Sequence, residues 1–205
     1  MAAFWAATLG LVPTELDGGL HRLDDGVTQH RVWINPVPEA RTVKQRVHLD
    51  VLVADVAELV GRGARVVDEL PHWTVLADPE GGELCAFVRP PERLTSYRLL
   101  EVVVDAVDPE AITAWWGDRL RCTPRSSDDG SFWWLDPGPG VPVAWVFQAV
   151  PEPKSVKNRI HWDVLGETDG LVGAGATLMR GRGDGRHWDV LADPEGNEFC
   201  VFPPG

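Results

Sequence analysis

The chain contains one unit twice, and that repetition constrains its architecture more than any other feature. Lys44-Gln45-Arg46-Val47-His48-Leu49-Asp50-Val51-Leu52 matches Lys157-Asn158-Arg159-Ile160-His161-Trp162-Asp163-Val164-Leu165 at six of nine positions. His72 to Phe87 matches His187 to Phe202 with four differences in sixteen. The first blocks are offset by 113 residues and the second by 115, so two residues are inserted between them. They fall in the loop Arg180-Gly181-Arg182-Gly183-Asp184-Gly185, where added length costs little.

Within each copy the pattern reads as a strand, a helix and a hairpin. Arg159 to Leu165 alternates around His161 and Asp163, which places both polar side chains on one face of a strand. Asp169 to Ala176 and Asp55 to Gly63 read as short helices ending at glycines. Asp193-Pro194-Glu195-Gly196-Asn197 has turn chemistry throughout and joins a strand Trp188 to Ala192 to a strand Glu198 to Phe202.

The same order recurs more weakly between the copies. Leu99 to Ala106 reads as a strand and Asp108-Pro109-Glu110 starts a helix to Leu120, with strands at Phe132 to Leu135 and Val143 to Val150. Ala2 to Gly10 matches the helix of that unit, and Arg31 to Val37 its last strand. The expectation is an α+β chain of four βαβ-like modules in two pairs, with domains over 1–90 and 97–205. The first module has no counterpart of Leu99 to Ala106. Either it is a strand short, leaving an edge to be covered, or the true start lies upstream of Met1.

A formal net charge of −12, from 31 acidic against 19 basic side chains, repels phosphate backbones and anionic lipid. Nucleic acid and membrane are therefore excluded as expected partners, leaving a small-molecule ligand and a second copy of the chain. The three cysteines, Cys85, Cys122 and Cys200, form no C-x-x-C pair and suit a reducing cytoplasm. No apolar run reaches the roughly 18 residues of a membrane span.

Paired modules with a histidine near the start of one strand and D-P-E-G-N before the last resemble the vicinal oxygen chelate superfamily. That group includes glyoxalase I, extradiol dioxygenases and bleomycin-resistance proteins. K-N-R-x-H-x-D and D-P-E-G-N-E-F-C look most like its glyoxalase-like domain. The resemblance implies βαβββ modules paired into cupped mixed sheets, and a divalent metal (Zn, Mn, Fe or Ni) held by the first and last strands of two modules. Carried over residue by residue, the ligands are Glu101, Gln148, His161 and Cys200. The sequence departs from the pattern at Cys200 and Cys85, where metal-dependent members carry glutamate. A thiolate favours softer ions such as zinc or copper, or marks a metal that has been lost.

His48 and His161 are thus either ligands or core histidines satisfied by Asp50 and Asp163. Ligand-binding candidates are Trp133, Asp163, His187, Trp188, Glu198, His48 and Asp50. Ten tryptophans against one tyrosine suggest an aromatic cleft in the second domain. The leading expectation is a small-molecule binding protein without the usual metal-dependent chemistry. The alternative is a metal-dependent lyase, isomerase or dioxygenase, and a third possibility is an interaction module using an open strand edge.

Overall fold

The computed structural model describes residues 1–183 and 185–204, so Asp184 of the inserted loop lies outside the described residues. Module one runs α1 (Ala2–Leu9), β1 (Val12–Glu15), β2 (His21–Asp24) and β3 (Val32–Ile34). Module two is β4 (Val47–Val53), α2 (Ala57–Gly61), β5 (Arg65–Glu69), β6 (Thr74–Ala77) and β7 (Glu83–Val88). Module three is β8 (Leu99–Ala106), α3 (Pro109–Leu120), β9 (Pro124–Ser126), β10 (Phe132–Leu135) and β11 (Ala144–Ala149). Module four is β12 (Trp162–Leu165), α4 (Thr168–Gly173), β13 (Thr177–Arg180), β14 (Asp189–Ala192) and β15 (Glu198–Phe202). Module one therefore begins at its helix, one strand short of the other three.

Local chemistry explains the boundaries. The Asp108 side chain caps α3 by accepting from the Ala111 amide at 3.0 Å, with Pro109 at the first helical position. Helix α1 ends at Gly10 in a left-handed turn (φ 73°), where a Cβ would meet the Ser96 carbonyl. Asp193 builds the D-P-E-G-N turn by accepting from the Glu195 and Asn197 amides, and Asp78 does the same for Glu80 and Gly82. These turns hold the last strand of each copy in register with the first.

The sheets do not follow the halves of the chain. Modules two and three share one eight-stranded sheet in the order β5-β6-β7-β4-β8-β11-β10-β9, with β4 and β8 antiparallel at its centre. Module four forms a separate four-stranded sheet, β12-β15-β14-β13, and module one a three-stranded one. Among the described residues β12 has β15 as its only neighbour, whereas its repeat-equivalent β4 has both β7 and β8.

The hydrophobic cores follow the halves apart from an exchange at the seam, where Val47 of β4 joins the second core and Leu99 and Val102 of β8 pack against the first. One joins α1 to β4 and β7 through Phe4, Trp5, Leu9, Val51 and Leu84. The other surrounds Trp116 of α3, whose ring makes edge contacts with Trp115, Trp145, Trp162 and Phe199 at 4.8 to 5.4 Å. This cluster absorbs much of the tryptophan excess, because aromatic rings pack edge to face at such distances.

Among the ion pairs that cross between the halves, two are matched by the repeat. Arg46 meets Glu195 at 3.8 Å and Arg159 meets Glu80 at 3.3 Å. Arg46 and Arg159 are repeat equivalents, and so are Glu80 and Glu195, so each half gives its arginine to the other's turn. Such reciprocity is the signature of an isologous contact.

Candidate functional site

In module two, alternation along β4 turns His48 and Asp50 to the same face, and the parallel pairing of β4 with β7 sets Cys85 beside Asp50. One donor atom from each lies within 4.8 Å of the other two. All three residues are buried, at 8%, 5% and 8% exposure. His48 Nε2 stands 3.4 Å from Asp50 Oδ1, yet His48 Nδ1 and Asp50 Oδ1 have no hydrogen-bond partner among the described residues. Unsatisfied buried polar groups cost about 1–3 kcal/mol each, so two in one cluster ask for a ligand.

Strand β8 brings a fourth group. Glu101 is the register partner of Asp50, at a shift in the β4–β8 ladder that re-aims side chains. Burial, then the charge of Asp50, raises its carboxyl to about 7, with His48 pulling the other way. Burial is also the main reason the Cys85 thiol is pushed up to about 12, with Asp50 adding to it.

Module four repeats the cluster in a different setting. Asp163 pairs with Cys200 between parallel β12 and β15, and His161 Nε2 lies 3.8 Å from Asp163 Oδ1. The donor atoms of His161, Asp163 and Cys200 again fall within 4.8 Å of one another. Here the His161 and Asp163 side chains are 38% and 40% exposed, and Cys200 alone is buried. Burial first, and Asp163 second, pushes the Cys200 thiol up to about 12.

The four residues carried over as metal ligands are thus spread over three places. Glu101 stands with His48 and Asp50, and His161 and Cys200 stand together in the other sheet. Gln148 donates to Asp105 Oδ1 at 2.7 Å, and Lys44 holds the other carboxylate oxygen at 2.9 Å. The β11 position on the face of Glu101 and one step nearer the centre is Val146, partner of Val103.

The remaining candidates are also placed. Trp133 shares a face with buried Phe147, while Trp134 shares one with Val146 and hence with His48. Trp188 stacks on Phe202 at 5.4 Å, with the Arg186 guanidinium carbon 6.0 Å from the Trp188 ring centre and His187 exposed beside it. Glu198 is held by the Lys154 ammonium at 2.7 Å and the Asn158 amide at 3.1 Å. A cavity of about 280 Å³ lies between α3 and the start of α4, lined by Trp116, Arg119, Val164 and Leu171, and neither donor cluster opens into it.

The donors present suit a divalent metal. Imidazole, carboxylate and thiol grouped together, with two buried atoms otherwise orphaned, form a mixed N/O/S set that fits zinc better than magnesium or calcium.

βαβββ modules joined seam to seam into a cupped mixed sheet, with such donors on it, define a tandem protein of the vicinal oxygen chelate class. The glyoxalase-like domain family model matches residues 1–87 and 101–202, and the chain belongs to that family. Among solved structures, glyoxalase I from Zea mays superposes with a TM-score of 0.67 at 14% identity, covering 98% of this chain and 86% of that one. A dioxygenase candidate from Bacillus subtilis superposes with 0.61 at 14% identity, covering 100% and 81%. At this identity the likeness is one of fold. No curated protein matches the sequence. No helix among the described residues is long and apolar enough to cross a membrane.

Proposed function

We propose that the protein binds a small molecule at a zinc-type centre on the seam between modules two and three. His48, Asp50 and Cys85 hold the ion, and Glu101 faces it from the adjoining strand. The observation that carries this reading is the pair of orphaned buried atoms, His48 Nδ1 and Asp50 Oδ1, beside a thiol. A zinc ion at this position supplies a Lewis acid for an oxygen of the bound molecule. Glu101 is partly exposed, so a ligand reaches the centre from its side, with Trp134 on the same face of the sheet. A reducing cytoplasm suits the free thiols.

A second reading, catalysis of the lyase or isomerase type, rests on Glu101. A carboxyl poised at about 7 both accepts and donates a proton near neutral pH.

The test is tryptophan fluorescence of the chelator-treated and zinc-loaded protein against a panel of small dicarbonyl and aromatic hydroxy compounds. Quenching that requires zinc and is lost in Cys85→Ser supports binding at this centre. An identical response with and without zinc, or none at all, rejects it. Turnover abolished by Glu101→Gln with quenching retained supports the catalytic reading.

A further inference from the structure

The sheets of modules two and four end alike. Strand β5 closes one end of the eight-stranded sheet and β13 one end of the four-stranded sheet, and each has a single strand neighbour among the described residues. The two strands hold equivalent places in the repeat. Asp68 pairs with Val75 and Arg180 with Val190, and Val75 and Val190 are 115 residues apart, the offset of the repeat in this block. Both ladders slip here, between Val66 and Asp68 and between Leu178 and Arg180. A bulge at an edge interrupts the ladder that a further strand would extend, so whatever covers these edges does so through side chains.

Those side chains are apolar on both edges and opposite in charge. Every residue of β5 and β13 is exposed. Val67 is 50% and Met179 58% exposed at the two slips, with Val66, Leu70 and Trp73 exposed on the first hairpin and Leu178 on the second. Arg65 to Trp73 carries two acids, Asp68 and Glu69, against one arginine, whereas Thr177 to Trp188 carries Arg180, Arg182 and Arg186 against Asp184. Arg182 is held by Asp189 at 3.0 Å and Arg186 lies by the Trp188 ring, so Arg180, at the ladder position of Asp68, carries the contrast. In a chain of net charge −12 a basic hairpin is the part drawn to another molecule of the same protein.

We infer that the basic edge of module four docks on the acidic edge of module two of a second molecule of this chain, with Arg180 meeting Asp68 and the exposed apolar side chains covered between them. Each chain carries both surfaces, so two molecules that engage them reciprocally form a closed dimer. A second copy fits better than a small anion, which would satisfy the arginines and leave the apolar side chains of both edges in water. The inference is independent of the seam centre and holds whether or not that centre takes a metal.

The test is sedimentation velocity of the full chain, with chelator present so that no metal bridges molecules. The native protein dimerises in the micromolar range at low salt and dissociates as salt is raised. Asp68→Arg and Arg180→Asp each set like charges against one another at both contacts and weaken self-association by about tenfold or more. An equimolar mixture of the two variants restores the dimer, because every contact then joins arginine to aspartate, and that recovery also shows both variants to be folded. A native chain that stays monomeric at every concentration overturns the inference, and so does a dimer that both variants leave unchanged. Variants that are monomeric alone and remain so when mixed overturn it as well. Citrate bound by a strictly monomeric native chain and lost in Arg180→Asp gives the basic hairpin to a small anion and overturns it too.

Discussion

The two copies of H-x-D and its partner cysteine differ in their surroundings far more than in their sequence. Around His48 the strand β8 completes a sheet, and the histidine and aspartate are buried. Around His161 the corresponding edge pairs with no strand among the described residues, and the histidine and aspartate are partly exposed. Burial of a polar motif is thus set by the neighbouring strand and not by the motif, and with it the cost of leaving a donor unpaired.

The largest expected break in that comparison comes from charging equivalent strands. Val51→Asp puts an unpaired carboxylate at a fully buried position of β4 and destabilises by more than about 4 kcal/mol. Leu165→Asp on β12, where the leucine is 79% exposed, changes stability by less than about 0.5 kcal/mol. Urea unfolding midpoints of the two variants check this directly.

The next effect is on pH. Glu101 titrates near 4.5 in an unfolded chain and at about 7 in the folded one, so between those values the folded state binds more protons. Stability of the metal-free protein is therefore greatest below about pH 4.5 as far as this group is concerned. It falls by roughly 1–3 kcal/mol as pH rises to 7 and is level above. Glu101→Gln flattens that part of the profile, and a Gln variant whose slope matches the native one refutes the assignment.

Substituting the aspartates separates the copies by a smaller margin. Asp50→Asn removes a buried charge that repels the Glu101 carboxylate and stabilises the metal-free protein by about 1–2 kcal/mol. Asp163→Asn, half in water, shifts it by less than about 0.5 kcal/mol. Thermal melts in the presence of chelator decide between equal and unequal shifts.

The smallest contrast is between the crosswise ion pairs. Arg46 and Glu195 are mostly buried, at 11% and 12% side-chain exposure, against 29% and 58% for Arg159 and Glu80. Double-mutant cycles give a coupling approaching 1 kcal/mol for the first and a few tenths for the second. Equal couplings remove the distinction.

Much of this molecule is legible in the sequence because the repeat carries it. Leu99–Ala106, Phe132–Leu135 and Glu198–Phe202 are strands over the spans their alternation predicts, and the helix capped by Asp108 ends at Leu120. Strand β13 (Thr177–Arg180) and its counterpart β5 carry no separate signal in the sequence, being short, exposed and without a clean alternation. What local pattern does not encode is which edge meets which. The antiparallel seam of β4 with β8 joins two halves whose cores meet along it, through Val47 and Val102, and it moves Glu101 from the company of His161 to that of His48. Gln148 went with it on parity alone, since it shares the face of Glu101 but sits at the far end, on Asp105. Cys85 needed only the repeat to be seen as the partner of His48. The first module lacks a counterpart of Leu99–Ala106, and it is β8 of module three that lies beside β4.

The reciprocal arginine and glutamate contacts have a consequence for how the chain is held together. Each half buries most of its own core, and the joint between them is built on one strand seam, with two matched clasps among the ion pairs that cross it. The connecting segment between β7 and β8 then acts mainly as a tether that raises local concentration. Cut there, the two pieces would find each other again as subunits do, and the tandem protein is in that sense a dimer written on a single strand of peptide.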